Sequence, residues 1–364
     1  MKFICERNIL LKEISIAQEI ISSKNVISIL SNIYLEAEND SLIIKATDLK
    51  VNFETKVPVT VIEPGLITVF GDKFLGILSS IPEGELEFEQ KDGKIIIKPS
   101  AKKVKFQLKS MASDKYPEFP VSGKEYFSIP VKDFKEMVTQ TVFAISDDET
   151  RYFMNGVYME KTEGKIVMVA TDGRRLAYIG KEADGIEDFM GVIIPPKILN
   201  IITKRAGDEG LIDISVNDKM IFVRFGSYIL SSVQLEGQFP NYRKVIPEEQ
   251  TSVLYLNRIE TLDALKRVSL LVEQKSHRVH LGIKPGSMEI YSEENEIGEA
   301  KEEISCKYEG EETSLALNYR YIEEPFKVIN TDEICISFTG PSKAITIVPV
   351  PQTDFFHIVM PMQL

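Results

Sequence analysis

The chain carries one stretch of sequence three times, and this repetition constrains its fold more than any other feature. Ile33-Tyr34-Leu35-Glu36 precedes Leu42-Ile43-Ile44-Lys45-Ala46-Thr47-Asp48, and Val157-Tyr158-Met159-Glu160 precedes Ile166-Val167-Met168-Val169-Ala170-Thr171-Asp172. A fainter copy runs Val279-His280-Leu281-Gly282, then Met288-Glu289-Ile290-Tyr291, with Glu293-Glu294 in place of Thr-Asp. From Tyr34 to Tyr158 is about 124 residues, well beyond the roughly 20–50-residue units of solenoids and propellers. The repeating object is therefore a domain, and 364 residues accommodate three of them. Three like domains in series point to a function that comes from arrangement.

Each repeat opens with a short strand and a helix. Leu10, Ile14, Ala17 and Ile21 share one helical face, as do Phe134, Val138, Thr141 and Ile145, and Leu262, Leu265, Val268 and Val272. The two alternating strands follow, then a second helix near Asp72 to Ser80, Pro196 to Ala206 and Tyr319 to Asn330. Closing hairpins turn at Asp92-Gly93, Asn217-Asp218 and near Gly340. The unit is α+β, two helices on a mostly antiparallel sheet. The proline-rich stretches Tyr116 to Pro120 and Ile246 to Gln250 place domains at 1–121, 122–247 and 248–364. Pro325 falls inside the last helix, where an interior proline costs about 3 kcal/mol. That helix is expected either to kink there or to begin near Glu323.

Composition narrows the function. No apolar run is long enough to span a membrane, and Met1-Lys2-Phe3-Ile4-Cys5 does not open a signal peptide. Three scattered cysteines, Cys5, Cys306 and Cys335, suggest neither a disulfide framework nor a metal site and fit a reducing cytoplasm. The net charge of -12 argues on its own against nucleic acid, although an acidic exterior can coexist with a basic inner face.

Catalytic constellations are missing. No P-loop, G-x-S-x-G or H-E-x-x-H pattern occurs. His277 and His280 read as structural or surface histidines, since no third metal ligand lies near them. Asp147-Asp148-Glu149 reads as a solvated loop rather than an oxygen-rich ion site. The most distinctive string is Ala170-Thr171-Asp172-Gly173-Arg174-Arg175-Leu176-Ala177. An Asp-Gly turn accounts for its middle, but not for two arginines followed by a return to apolar residues.

At this string, together with Val359-Met360-Pro361-Met362-Gln363-Leu364, the sequence resembles the bacterial DNA sliding clamp family, the beta subunits of the DNA polymerase III holoenzyme. The resemblance covers the whole chain and includes Met1-Lys2-Phe3, Ile81-Pro82-Glu83-Gly84, Arg151-Tyr152-Phe153-Met154-Asn155-Gly156 and the run Phe239 to Pro247. It implies a processivity factor without catalytic residues, metal or cofactor. Two chains would join head to tail as a homodimer, forming a closed six-domain ring around double-stranded DNA. Geometry agrees: a domain of this size is a bead roughly 30 Å across. Six such beads leave a hole one bead wide, and three leave almost none.

The resemblance assigns the residues as well. One dimer edge would be the strand Lys103 to Leu108, with Lys103, Lys105, Phe106 and Leu108, and the other would lie near Leu270 and Leu271. Lys24, Lys73, Lys197, Lys204, Arg205, Lys266, Arg267 and Arg278 would face phosphates from the helices, without sequence specificity. Arg151, Tyr152 and Phe153 match a DNA-touching loop, with Asp147 and Asp148 unfavourably close. A partner-peptide pocket would comprise Met154, Thr171, Gly173, Arg174, Arg175, Leu176, Pro240, Lys244, Val245, Ala344, Ile358, Met360, Pro361 and Met362, with Asn318 and Tyr321 at its rim. Lys244 stands where an arginine is common, which weakens a bidentate contact. Replicative polymerase, clamp loader, other polymerases and repair proteins would dock there. The rival readings are a nuclease built on the Asp147 loop and a scaffold that does not encircle DNA.

Overall fold

The alternation in the repeated segments becomes paired strands. A computed structural model describes residues 1–21, 28–187 and 189–363. The repeated pairs are the antiparallel hairpins Asn32–Glu38 with Ser41–Thr47, Val157–Thr162 with Lys165–Thr171, and Arg278–Lys284 with Ser287–Tyr291. Ile33, Leu35 and Ala37 are buried while Tyr34 and Glu36 are half-buried, as a pleat with one core face requires. The first two hairpins turn through consecutive positive-φ residues, Asn39 and Asp40 in one and Glu163 and Gly164 in the other. Such turns match strand twist.

The opening helices are α1 (Arg7–Ile20), α3 (Val131–Thr141) and α5 (Arg258–Val268). The second helices are α2 (Gly71–Ser80), α4 (Pro196–Arg205) and α6 (Tyr319–Val328). Leu10, Ile14 and Ala17 of α1, Phe134, Val138 and Thr141 of α3, and Leu262, Leu265 and Val268 of α5 are all buried. Ile145 lies beyond the end of α3. Helix α6 starts at Tyr319, not near Glu323, because Asn318 caps it by accepting the Arg320 N–H at 3.0 Å. It continues through the buried Pro325, whose carbonyl accepts the Ile329 N–H at 3.0 Å. Burial of Ile322 and Phe326 on either side offsets the missing donor.

The chain forms two compact units, Met1–Val131 with Lys197–Gln234, and Lys132–Pro196 with Leu235–Leu364. Among the described residues each unit holds one continuous antiparallel sheet, of 13 strands in the first and 12 in the second. In the first, Val51–Pro58 pairs with Tyr228–Val233, joining the first repeat to the central one. In the second, Arg175–Glu182 pairs with Phe355–Val359, joining the central repeat to the third. The two junctions use equivalent strands, each the last of its repeat's outer hairpin set meeting the last of the next repeat's closing set.

Among the described residues, one strand of each kind has no such partner. Phe106–Met111 pairs along Lys94–Ile97, but meets the strand Gly65–Phe70 only at Ser110 and Met111. Lys301–Lys307 pairs along Ser287–Tyr291 and meets Ser252–Asn257 only at Cys306 and Lys307. The edge expected over Lys103 to Leu108 therefore begins at Phe106, and Lys103 and Lys105 lie in the preceding loop. There the Val104 N–H donates back to the Lys102 carbonyl at 2.9 Å, which breaks the extended run.

Candidate docking site and cationic faces

The Thr-Asp pair that recurs in the sequence organises a tight loop. Asp172 Oδ1 accepts the amides of Arg174 at 2.9 Å and Arg175 at 3.1 Å, while Thr171 Oγ1 accepts the Gly173 N–H at 3.1 Å and donates to the Arg175 carbonyl at 2.6 Å. Asp48 does the same for Lys50 and Val51, and Thr47 for Leu49. Gly173 has φ +88°, and a side chain there would press on the Arg151 guanidinium at 3.2 Å. The loop delivers Arg174 to the surface and turns Leu176 into the core, opposite Ile358 in the sheet.

Arg175 is built in. Its Nε donates to Asp172 Oδ2 at 3.0 Å, one terminal nitrogen to the Phe143 carbonyl at 2.7 Å, and the other to Glu324. The guanidinium lies over Tyr321, 4.6 Å from the ring centre, an arrangement a lysine cannot reproduce. Arg175 thus fastens the 171–176 loop to α6 and packs its guanidinium against Tyr321. Leu176 and Ile358 belong to one apolar cluster with Val169, Ile193, Phe239 and Tyr242, against which Ala344 and Phe153 pack. The C-terminal segment crosses this region: the Met360 N–H donates to the Arg174 carbonyl at 2.9 Å and the Met362 N–H to the Ala316 carbonyl at 2.7 Å. Met360 and Val245 present large apolar side chains to solvent, 43% and 53% exposed, whereas Met154 is buried. Pro361, Met362 and Asn318 are partly exposed.

Pro240 and Lys244 line a cleft of about 500 Å³ with Tyr158, Glu160, Phe239 and Arg243. Glu160 is its hub, accepting from Tyr158 at 3.1 Å, Tyr242 at 2.7 Å and Arg243 at 2.6 Å. Burial and the adjacent carboxylate push the Tyr158 hydroxyl up to about 12, so it stays a donor. Sequence reasoning did not assign Tyr158, Glu160 or Arg243 to a site. The signal was present, since the first two lie in the repeated strand and Arg243 in the 239–247 run.

The cationic candidates are already paired. Lys73 lies 3.2 Å from Asp72, Lys266 3.5 Å from Asp263, and Arg267 2.5 Å from Glu302. Glu19 holds Lys204 at 3.5 Å and Arg205 at 2.9 Å. Lys197 is anchored to Asp48 at 2.6 Å and to the Ile20 carbonyl at 2.7 Å. Arg278 is on a strand rather than a helix and pairs with Glu293 at 2.7 Å. Lys24 lies outside the described residues. Asp148 caps the 3-10 turn Glu149–Met154 by accepting the Thr150 N–H at 3.0 Å, and it holds Arg151 at 2.9 Å. Its charge is therefore engaged by the loop itself. Tyr152 is half-exposed and edge-on to Phe153. Leu270 is 79% exposed and Leu271 half-buried. Among the described residues no group of acidic, histidine or cysteine side chains is arranged to hold a metal, and no helix is long and apolar enough to cross a membrane.

Three copies of one two-helix unit, joined edge to edge through shared antiparallel sheets, define a clamp-type protein of tandem domains. Residues 1–120, 128–241 and 243–363 match the N-terminal, central and C-terminal domains of the DNA polymerase III beta subunit. The chain is 46% identical over 369 residues to the beta sliding clamp of Treponema pallidum, covering 100% of both. A sliding clamp from Pseudomonas aeruginosa, solved bound to griselimycin, superposes with a TM-score of 0.95 at 26% identity and 100% coverage of both chains. The Bacillus subtilis clamp gives 0.94 at 29% identity, covering 100% of this chain and 99% of that one. The chain belongs to the DNA polymerase III beta subunit family, the beta sliding clamps.

Proposed function

We propose that two copies close head to tail into a ring of six domains, bounded near residues 1–121, 122–247 and 248–364, that surrounds duplex DNA in the cytoplasm. The single observation that carries this reading is the pair of leftover strands. Both in-chain junctions join equivalent edges, and the same kind of junction remains to be made between Phe106–Met111 and Lys301–Lys307. Within one chain the like edges are used at each step, so a second copy supplies the missing one, twice, by a two-fold. Lys103 and Lys105 precede one edge and Lys109 lies on it, while the other carries Glu302 and Glu303 between Lys301 and Lys307. Phe106, Leu108, Leu270 and Leu271 would be buried in the junction.

Inside the ring, Lys73, Lys204, Lys266 and Arg267 would meet phosphates, with Lys24, Arg151, Tyr152 and Phe153 assigned by family resemblance. Lys73, Arg151, Lys204, Lys266 and Arg267 have carboxylate partners, so attraction to DNA would be weak and salt-sensitive, and closure rather than affinity would prevent escape. The surface around Leu176, Pro240, Val245, Ala344, Ile358, Met360 and Met362 would take short apolar peptides of the replicative polymerase, the clamp loader and other DNA-processing partners. Methionines suit a surface that accepts several related side chains.

Light scattering tests the assembly. The expected mass is twice 41.2 kDa, reduced to one chain by Phe106→Glu with Leu108→Glu. A monomeric wild-type chain at micromolar concentration would overturn the ring.

A further inference from the structure

We propose that Arg278 is a positioning residue for peptide docking, acting by clamping the last residues of the chain; this rests on the pocket reading above. The segment after Val359, which carries Met360 and Met362, is held on both sides. One tether is the bond from the Met360 N–H to the Arg174 carbonyl, and the next is the bond from the Met362 N–H to the Ala316 carbonyl. Past Met362, Arg278 donates to the Gln363 carbonyl at 3.1 Å.

Arg278 is itself aimed. Another of its nitrogens donates to Glu293 at 2.7 Å, and the second oxygen of that carboxylate lies 3.0 Å from Nε2 of the buried His280. His280 is in turn stacked on Tyr291, ring centres 5.0 Å apart. Arg278 also opens the strand that pairs with Thr313–Asn318, so its backbone lies opposite Asn318 at the expected rim. A planar guanidinium can serve Glu293 and the Gln363 carbonyl together, whereas an ammonium is a point charge without that fork.

Carboxylate–cation pairs recur in the three repeats, as Asp48 with Lys197, Asp172 with Arg175 and Glu293 with Arg278, although Glu293 stands at the Thr position of the repeated Thr-Asp pair and not at its Asp position. In the second and third repeats the held cation stabilises opposite margins of one docking surface. Arg175 fixes the loop that carries Arg174, and Arg278 fixes the terminal segment that carries Met362.

The test uses the full-length chain with griselimycin as the probe, compared across wild type, Arg278→Met and Arg278→Lys, with amide hydrogen exchange over Met360 to Gln363. Met keeps the aliphatic stem and removes the donors. The expected result is about tenfold weaker binding for Arg278→Met, carried mainly by faster dissociation, with faster exchange at Met362 and a melting temperature near that of wild type. Arg278→Lys should fall between the two. Wild-type binding with Arg278→Met within twofold of it would overturn the proposal alone. Failure of the wild-type chain to bind griselimycin would overturn the pocket reading and this proposal with it.

Discussion

Asp172 and Arg175 hold each other across one turn: Asp172 Oδ2 accepts from Arg175 Nε at 3.0 Å while Asp172 Oδ1 accepts the Arg175 amide at 3.1 Å. The side chain is only 11% exposed and also serves Glu324 and the Phe143 carbonyl. Removing one member of a buried ionic network leaves the others uncompensated, at about 3 kcal/mol. Arg175→Ala should therefore lower the melting temperature of the unit containing residues 132–196 and 235–364 and, on the proposed docking reading, weaken peptide binding. Arg175→Lys should recover less than half of the stability. Calorimetry with a parallel titration checks both.

Glu13 is a buried carboxylate with one satisfied oxygen. Oε1 accepts from Tyr228 at 3.0 Å, while Oε2 has no partner among the described residues. Burial raises its pKa, more than the Tyr228 hydrogen bond and nearby cations lower it. A carboxyl whose folded pKa is raised favours folding most at pH below its unfolded value, and that contribution declines as pH rises through the folded value. Glu13→Gln keeps the acceptor for Tyr228. It should add about 1 kcal/mol at pH 7.5, a few degrees in melting temperature, and nothing at pH 4.

His357 gives the opposite pH dependence. It is buried between Phe143 and Phe355, and Nε2 meets Gln140 Oε1 at 3.1 Å while Nδ1 has no hydrogen-bond partner among the described residues. Burial, with Arg175 nearby, drives its pKa down to about 3, so the folded chain holds it neutral. Stability from this group is complete above the usual value of 6.5 and is lost as pH falls below it, by up to about 1.4 kcal/mol per pH unit. Denaturant midpoints from pH 7 to pH 4 should show that slope, and His357→Gln should flatten it.

Not every candidate cation should behave alike toward DNA. Lys73, Lys204 and Lys266 are well exposed and loosely paired. Each reversal to Glu should weaken binding across all sequences and reduce the salt slope by about 1. Lys197 is fixed between Asp48 and the Ile20 carbonyl. Lys197→Ala should lower the melting temperature and leave the salt slope unchanged.

What the sequence made legible was local. Period-2 alternation marks the hairpins, and Pro196 marks the start of one second helix, because both signals lie within a few residues. The pairing of Val51–Pro58 with Tyr228–Val233 was not legible, because it joins segments far apart in the chain and register across such a distance is set by the assembled sheet. The edge expected at Lys103 to Leu108 was placed three residues early because Lys-x-Lys alternation continues through the loop before Phe106–Met111. The candidate site was legible as strings, Thr171 to Leu176 and Phe239 to Pro247. Arg175 could be named from them, but not its commitment to Phe143 and Glu324, and nothing local linked Arg278 to the chain's last residues. Pro325 misled because propensity charges a lost hydrogen bond to a helix without crediting the burial of Phe326 beside it.

The most direct measurement of the central claim is retention on DNA as a function of topology. The chain is loaded by a clamp loader onto nicked circular duplex, freed of loader and then challenged by linearisation. A ring predicts stable retention on circles at moderate salt and rapid loss once an end is cut. Equal retention on circular and linear DNA, or equal loss from both, would contradict it and leave a scaffold that does not encircle DNA.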